Sequence, residues 1–331
     1  MKKLLLFFCA LFFLLVGSYL LFSVEDYYQY EANSSAECAP GEEFDAEYGV
    51  CYFDFYCETE AECEIVDEKY GQVLDSLALE YENNKRDHHE KNSFEEQNTE
   101  ETSSDAQSQT EKIIQIMNTI VPSQDMKKVV EIFPDSDGLD GTLAYVEPTN
   151  ENGSNWKMAY DPADSFNSDG SLKNPQELLT TLVHEYAHVL ALNDSQVNFV
   201  SPEVDVVRCE EGEVILDEGC GKKDAYLSLF IKDFWSESVR EQTQLALVEG
   251  REEEFSYELY DANPDEYLTE YAATNETEDF AESFALFVMR SDKPANNLVK
   301  NQKILFFYSR PELLSLRSHM RGGLLQILQA E

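Results

Sequence analysis

His184, Glu185 and His188, in the order H-E-Y-A-H, are the side chains in this sequence whose types and spacing most clearly suggest chemistry. Residues four apart stack on one face of a helix, so both imidazoles can reach one metal ion while Glu185 projects beside them. Imidazole pairs suit zinc, which lowers the pKa of a water it holds to about 7, and a neighbouring carboxylate can then take that proton. The expected chemistry is hydrolysis: one catalytic Zn2+, His184 and His188 as ligands, Glu185 as general base.

The element that must position them runs from Asn174 to Leu192. Asn174 is a good N-cap, Pro175 suits the first helical position, and Glu177 falls where a capping box places its carboxylate. Leu178, Leu179, Leu182, Val183, Val189, Leu190 and Leu192 surround it with apolar side chains, which predicts a buried helix.

Two imidazoles leave a third protein ligand to be found, and two candidates stand open. Asp194 follows His184 by ten positions, where zincins of the H-E-x-x-H-x-x-G-x-x-H/D type carry theirs. That pattern needs a glycine to turn the chain, yet the position holds Ala191, and no Met-turn follows. The second candidate lies in Y-A-A-T-N-E-T-E-D-F-A-E-S-F from Tyr271 to Phe284. Thr274 or Asn275 caps a helix there, with Glu278 in its first turn and Glu282 one turn on along the same face. Carboxylates so spaced suit a zinc ligand and a partner for a ligand imidazole, whereas a solvated acidic helix start is the plainer alternative. Phe280, Phe284, Leu286, Phe287 and Val288 mark the helix as a core element, so its carboxylates need partners.

H-E-Y-A-H followed by Y-x-x-T-N-E-x-E-x-F-A-E-x-F resembles the gluzincins of the anthrax lethal factor and Pro-Pro endopeptidase group. The resemblance implies that His184, His188 and Glu278 bind zinc and that Glu185 is the base. It further implies that Tyr271 donates a hydrogen bond to the oxyanion of the tetrahedral intermediate and that Glu282 stands behind a ligand histidine. It implies an α+β fold: a zincin-like metallopeptidase domain with the active-site helix under a small mixed sheet and a mainly helical C-terminal part. The likeness covers at most the last 200 or so residues and is specific only in these two motifs. The 90 positions from His188 to Glu278 exceed the family spacing, which implies an insertion at about 193–270 and leaves substrate preference uncarried.

Upstream, Met1-Lys2-Lys3 precedes an uncharged apolar run from Leu4 to Val24, so 1–24 is a signal peptide, cut after Ser18, or an uncleaved membrane anchor. Either reading delivers the remainder across the membrane, and an uncleaved run makes the membrane itself a partner. On that side an even set of cysteines predicts disulfides, with Cys38, Cys51, Cys57 and Cys63 in an acidic segment (25–67) and Cys209 and Cys220 bracketing a loop. Their pairing within the first cluster stays open among three arrangements. Region 68–110 reads as a short helix, Lys69 to Glu82, then a polar linker holding His88 and His89. The catalytic domain is expected over 111–331, starting with a helix at Ile113–Val121 and a strand at Val129–Phe133. Gly141–Val146 and Trp156–Tyr160 flank Asn152-Gly153 as a hairpin, one strand of which is the candidate substrate-binding edge. Two turns with faint calcium-loop character, Asp135–Asp140 and Asn167–Gly170, lack the full ligand spacing. Extended chain over Val197–Val207, helices over Lys222–Trp235, Arg240–Val248, Leu298–Tyr308 and Pro311–Leu328, and a surface or partly packed His319 complete the expectation.

With 24 Lys and Arg against 66 Asp and Glu the formal net charge is −42, which argues against nucleic-acid backbones as partners. The function expected is an extracytoplasmic, membrane-anchored or secreted zinc metallopeptidase acting on a protein or peptide. The rival is a cell-surface binding module with a non-catalytic or structural zinc site, against which the intact Glu185 speaks.

Overall fold

A computed structural model describes residues 42–45, 50–53, 103–136, 141–200, 207–291 and 293–330. The chain divides into two compact units, Met1–Glu37 and Cys38–Glu331. The first lies wholly outside the described residues, as do the Lys69–Glu82 helix, His88, His89, Cys38, Cys57 and Cys63. No helix among the described residues is long and apolar enough to cross a membrane.

Strands β1 (Glu42–Asp45) and β2 (Val50–Phe53, which contains Cys51) form an antiparallel hairpin. Helix α1 spans Ser103–Ile120 and buries Ile113, Ile116, Met117 and Ile120 on one face. It begins earlier than its apolar residues announce, inside the stretch expected to be linker, because its first two turns are polar. Strands β3 (Val129–Pro134), β4 (Ala144–Pro148) and β5 (Trp156–Tyr160) make a mixed sheet in the order β3-β5-β4. β5 is parallel to β3 and antiparallel to β4. The expected hairpin is therefore present, but β5 is the central strand, so of the two hairpin strands it is β4 that lies at an edge. In the β4–β5 loop Gly153 adopts φ 68°, a left-handed turn that favours glycine. A side-chain carbon there would also sit 2.0 Å from Phe199 Cε2.

Helix α2 (Pro175–Leu192) is capped as its sequence predicts. Asn174 Oδ1 accepts from the Glu177 amide at 3.3 Å, and Asn174 Nδ2 donates to Glu177 Oε2 at 3.0 Å. Strands β6 (Val197–Phe199), β7 (Val214–Leu216) and β8 (Gly219–Gly221) form a small antiparallel sheet, order β6-β8-β7; β6 opens the stretch expected to be extended, while β7 and β8 stand where a plain loop was expected around the cysteines. Three-residue strands carry little periodicity, which is why pattern alone misses β7 and β8. Then come helices α3 (Tyr226–Phe234), α4 (Glu237–Glu249), α5 (Glu252–Ala262), α6 (Glu276–Met289), α7 (Val299–Tyr308) and α8 (Pro311–Ala330). The result is a mixed α and β chain, mostly helical, with small three-stranded sheets.

The core gathers around α6, which packs on α2, α3, α7 and α8. Phe280, Phe284 and Phe287 are fully buried and meet Phe307 of α7 at ring-centroid distances of 5.1, 5.5 and 5.3 Å. Its C-terminal carbonyls are held by guanidinium groups of α8: Arg317 Nε donates to Phe287 O at 2.6 Å, and Arg321 Nη1 to Val288 O at 2.8 Å. Such donors satisfy carbonyls that a helix end leaves without partners and complement its negative pole. α6 is thus anchored at its far end, which fixes where its first turn meets α2.

Candidate metal centre

His184 and His188 project from the middle of α2, and Glu278 from the first turn of α6. The side chain of Asn275 caps α6 by accepting from the amides of Thr277 and Glu278, both at 2.9 Å, which holds Glu278 at the helix start. The packing of α2 on α6 closes the gap in sequence. His184 Nε2 lies 3.0 Å from Glu278 Oε2 and 3.1 Å from His188 Nε2, and His188 Nε2 lies 3.4 Å from Glu278 Oε2.

Three atoms in a triangle of that size fit one tetrahedral ion. Ligands at the usual zinc distances stand about 3.3–3.4 Å from one another. The donor set, two imidazole nitrogens and a carboxylate oxygen, suits zinc. Glu185, 7 % exposed, belongs to the same cluster, with a carboxylate oxygen within 4.8 Å of the histidine nitrogens.

The electrostatics agree with a place for a cation. Burial opposes a charged His184, but the carboxylates of Glu278 and Glu282 outweigh it and raise its pKa from 6.5 to about 10. Burial also opposes a charged Glu278, yet His188 and His184 hold its carboxyl well below the ordinary 4.5. Without a metal, positive charge is favoured on the His184 imidazole, beside the space that the three donors enclose.

Glu282, fully buried one turn along α6, contacts the other nitrogen of the same ring, with Oε1 3.1 Å from His184 Nδ1. That contact turns Nε2 toward the centre. Tyr271 opens a 3₁₀ turn, Tyr271–Ala273, and its ring centroid is 5.9 Å from that of His184. Tyr271 is 40 % exposed as a residue, while its hydroxyl is desolvated and hydrogen-bonds Glu278. Burial of the hydroxyl and the nearby carboxylates of Glu278, Glu185 and Glu282 push the phenol well above its ordinary value, so it stays protonated and able to donate.

It is Glu278, and not Asp194, that stands within ion-pairing distance of both imidazoles. Asp194 is exposed on the turn after α2, where its amide donates to Gly153 O and its carbonyl accepts from Lys222. Cys209 and Cys220 form the expected disulfide, which ties β8 to the chain before β7. Glu213 stands close to both sulfurs, but a disulfide supplies no thiolate and the group is no metal site. His319 is fully buried in α8, contrary to the surface or partly packed placement expected for it, because α8 lays that face against Val121 at the end of α1. Of the two calcium-like turns, Asn167–Gly170 is a tight turn in which Asp169 accepts from Ser171, and 137–140 of the other lies outside the described residues.

Sequence reasoning missed three contributors. Arg240 of α4 pairs with Glu276 at 2.7 Å and donates to Ile215 O, joining the β7–β8 hairpin to the first turn of α6. Glu218, between β7 and β8, has its carboxyl pKa raised by burial, with His188 among the groups that oppose the rise. Thr269 touches Glu282. No spacing announces the first two, since they reach the site only through tertiary packing; Thr269 carries a weak signal, a capping-type residue just ahead of the Tyr271 turn.

No protein-family model, no curated protein and no solved structure matches this chain.

Proposed function

We propose that the chain is a zinc-dependent metallopeptidase of zincin-like fold, acting outside the cytoplasm on protein or peptide substrates. The observation that carries the reading is the His184, His188 and Glu278 triangle with Glu185 and Tyr271 on its rim.

Zinc, when bound, supplies Lewis acidity that acidifies water and polarises a carbonyl. Glu185 takes the proton of the attacking water and returns it to the leaving amine. Tyr271, protonated and beside His184, donates to the oxyanion that develops on the carbonyl. Glu282, by accepting from Nδ1, would orient His184 with Nε2 toward a bound zinc. β4 supports a peptide rather than a small-molecule substrate: it is an edge strand of its sheet and packs on α2, so an extended backbone can add to it as a further strand. Export rests on the Leu4–Val24 run, and the Cys209–Cys220 disulfide accords with an oxidising compartment.

The test is zinc content and cleavage of a peptide library by the full chain, alongside Glu185→Ala, Glu278→Ala and Asp194→Ala. One equivalent of zinc retained without cleavage in Glu185→Ala, together with zinc lost in Glu278→Ala, is the expected result. Zinc lost in Asp194→Ala but kept in Glu278→Ala would overturn the ligand set. A wild type that holds zinc and cleaves nothing would overturn the peptidase in favour of the binding module.

A further inference from the structure

The hydroxyl of Thr269 stands between two functional parts of the site. Thr269 is fully buried, and its Oγ1 accepts from the Ala272 amide at 2.9 Å while donating to Glu282 Oε2 at 3.0 Å. The other oxygen of Glu282 meets His184 Nδ1 at 3.1 Å. A backbone amide only donates, so the hydroxyl proton is left for the carboxylate, and the carboxylate in turn takes the Nδ1 proton of the imidazole. The bonds therefore converge on Glu282, from the Ala272 amide through the Thr269 hydroxyl on one side and from His184 Nδ1 on the other. With its proton held on Nδ1 the ring would offer Nε2 to a bound metal. Ala272 belongs to the 3₁₀ turn that carries Tyr271.

We infer that Thr269 is a positioning residue: with one hydroxyl it orients His184 through Glu282 and locks the turn that presents Tyr271. The inference rests on the metal-centre reading above. Burying a hydroxyl without partners is costly, whereas here both its donor and its acceptor functions are used, each on a different part of the site. An aliphatic residue of equal size would fill the space yet take one hydrogen bond away from Glu282 Oε2 and remove the acceptor of the Ala272 amide. Groups that hold a metal-ligating histidine from behind typically change metal affinity by 10–100-fold when lost.

The experiment measures zinc affinity by chelator competition in the full chain and in Thr269→Val, Thr269→Ser, Glu282→Gln and the Thr269→Val/Glu282→Gln double variant, with thermal unfolding of each zinc-free protein alongside. Expected are an affinity about 10-fold or more weaker for Thr269→Val and recovery to within about threefold in Thr269→Ser, which keeps the hydroxyl. In the double variant the valine is expected to add little to the glutamine, because the hydroxyl acts through Glu282. A purely structural role would move the melting temperature without this pattern in affinity. Wild-type affinity in Thr269→Val, or losses that simply multiply in the double variant, would overturn the inference. Thr269→Ala, which cannot overpack the turn, carries the same expectation if the valine variant does not fold. A wild type that binds no zinc defeats the metal-centre reading instead, and that failure shows before any variant is made.

Discussion

Asp279 and Lys303 form an ion pair 2.7 Å long in which neither side chain is exposed by more than 1 %. The same carboxylate oxygen accepts from Trp235 Nε1 at 2.7 Å, and the Lys303 ammonium lies 4.0 Å from the centre of the Tyr267 ring. The pair joins α6 to α7 one residue beyond Glu278. Removing one partner of such a pair leaves a buried charge uncompensated, whereas neutralising both does not.

Lys303→Met is therefore expected to destabilise the fold by about 3–5 kcal/mol, and the Lys303→Met/Asp279→Asn double variant, which keeps an acceptor for Trp235, to recover most of that loss. Urea unfolding of the three proteins checks it. A loss below about 1 kcal/mol in the single variant would show that the pair does not behave as a desolvated one.

Tyr271→Phe removes the hydroxyl and keeps the ring that lies beside His184. If the phenol stabilises the developing oxyanion, kcat falls about 10²–10³-fold while zinc content and KM stay near the wild-type values. Steady-state kinetics on a cleaved peptide, with metal analysis, decides; kcat within threefold of wild type would remove Tyr271 from the reaction.

Gly323 lies where α8 crosses α1, and a side-chain carbon there would come within 2.2 Å of the Thr119 carbonyl oxygen. Glycine to alanine inside a helix ordinarily stabilises by up to about 1 kcal/mol. Here the obstacle is backbone, so Gly323→Ala is expected to cost about 1–3 kcal/mol and lower the melting temperature. A raised melting temperature would contradict the close crossing.

His319 has its pKa pushed down by burial from 6.5 to about 4. Above pH 6.5 the ring is neutral in both folded and unfolded chains and has no effect on the balance. Between 6.5 and about 4 the unfolded chain takes up a proton that the folded one refuses, so stability falls with falling pH, by about 3 kcal/mol in all. Below about pH 4 the loss is constant. His319→Gln removes this contribution, and the difference in unfolding free energy between the two proteins should shrink across that window; parallel curves would place His319 in contact with water.

What could be read from the sequence is what short-range geometry dictates. The Asn174 cap and the Asn275 cap mark both site helices within a residue, because a capping side chain bonds amides only two or three positions away. The spacing of His184 and His188 puts both rings on one face once α2 forms, and the apolar surround of α2 and α6 foretold their burial. The spacing also carried Glu278 and Glu282 together on one face, though not what that face would meet.

Tertiary structure alone decided the rest. Only the packing of α2 on α6 brings Glu278, and not Asp194, to the two imidazoles, since nothing local relates residues 90 positions apart. Sheet order made β4, not β5, the edge, because strand neighbours are set by which faces must be covered rather than by the strands' own pattern. Thr269, Arg240, Lys303 and His319 read as ordinary residues in the sequence, and each acquired its role from a partner on a distant element. Periodicity and capping act over a few residues of chain, whereas a buried charge or hydroxyl is defined by what the fold brings against it.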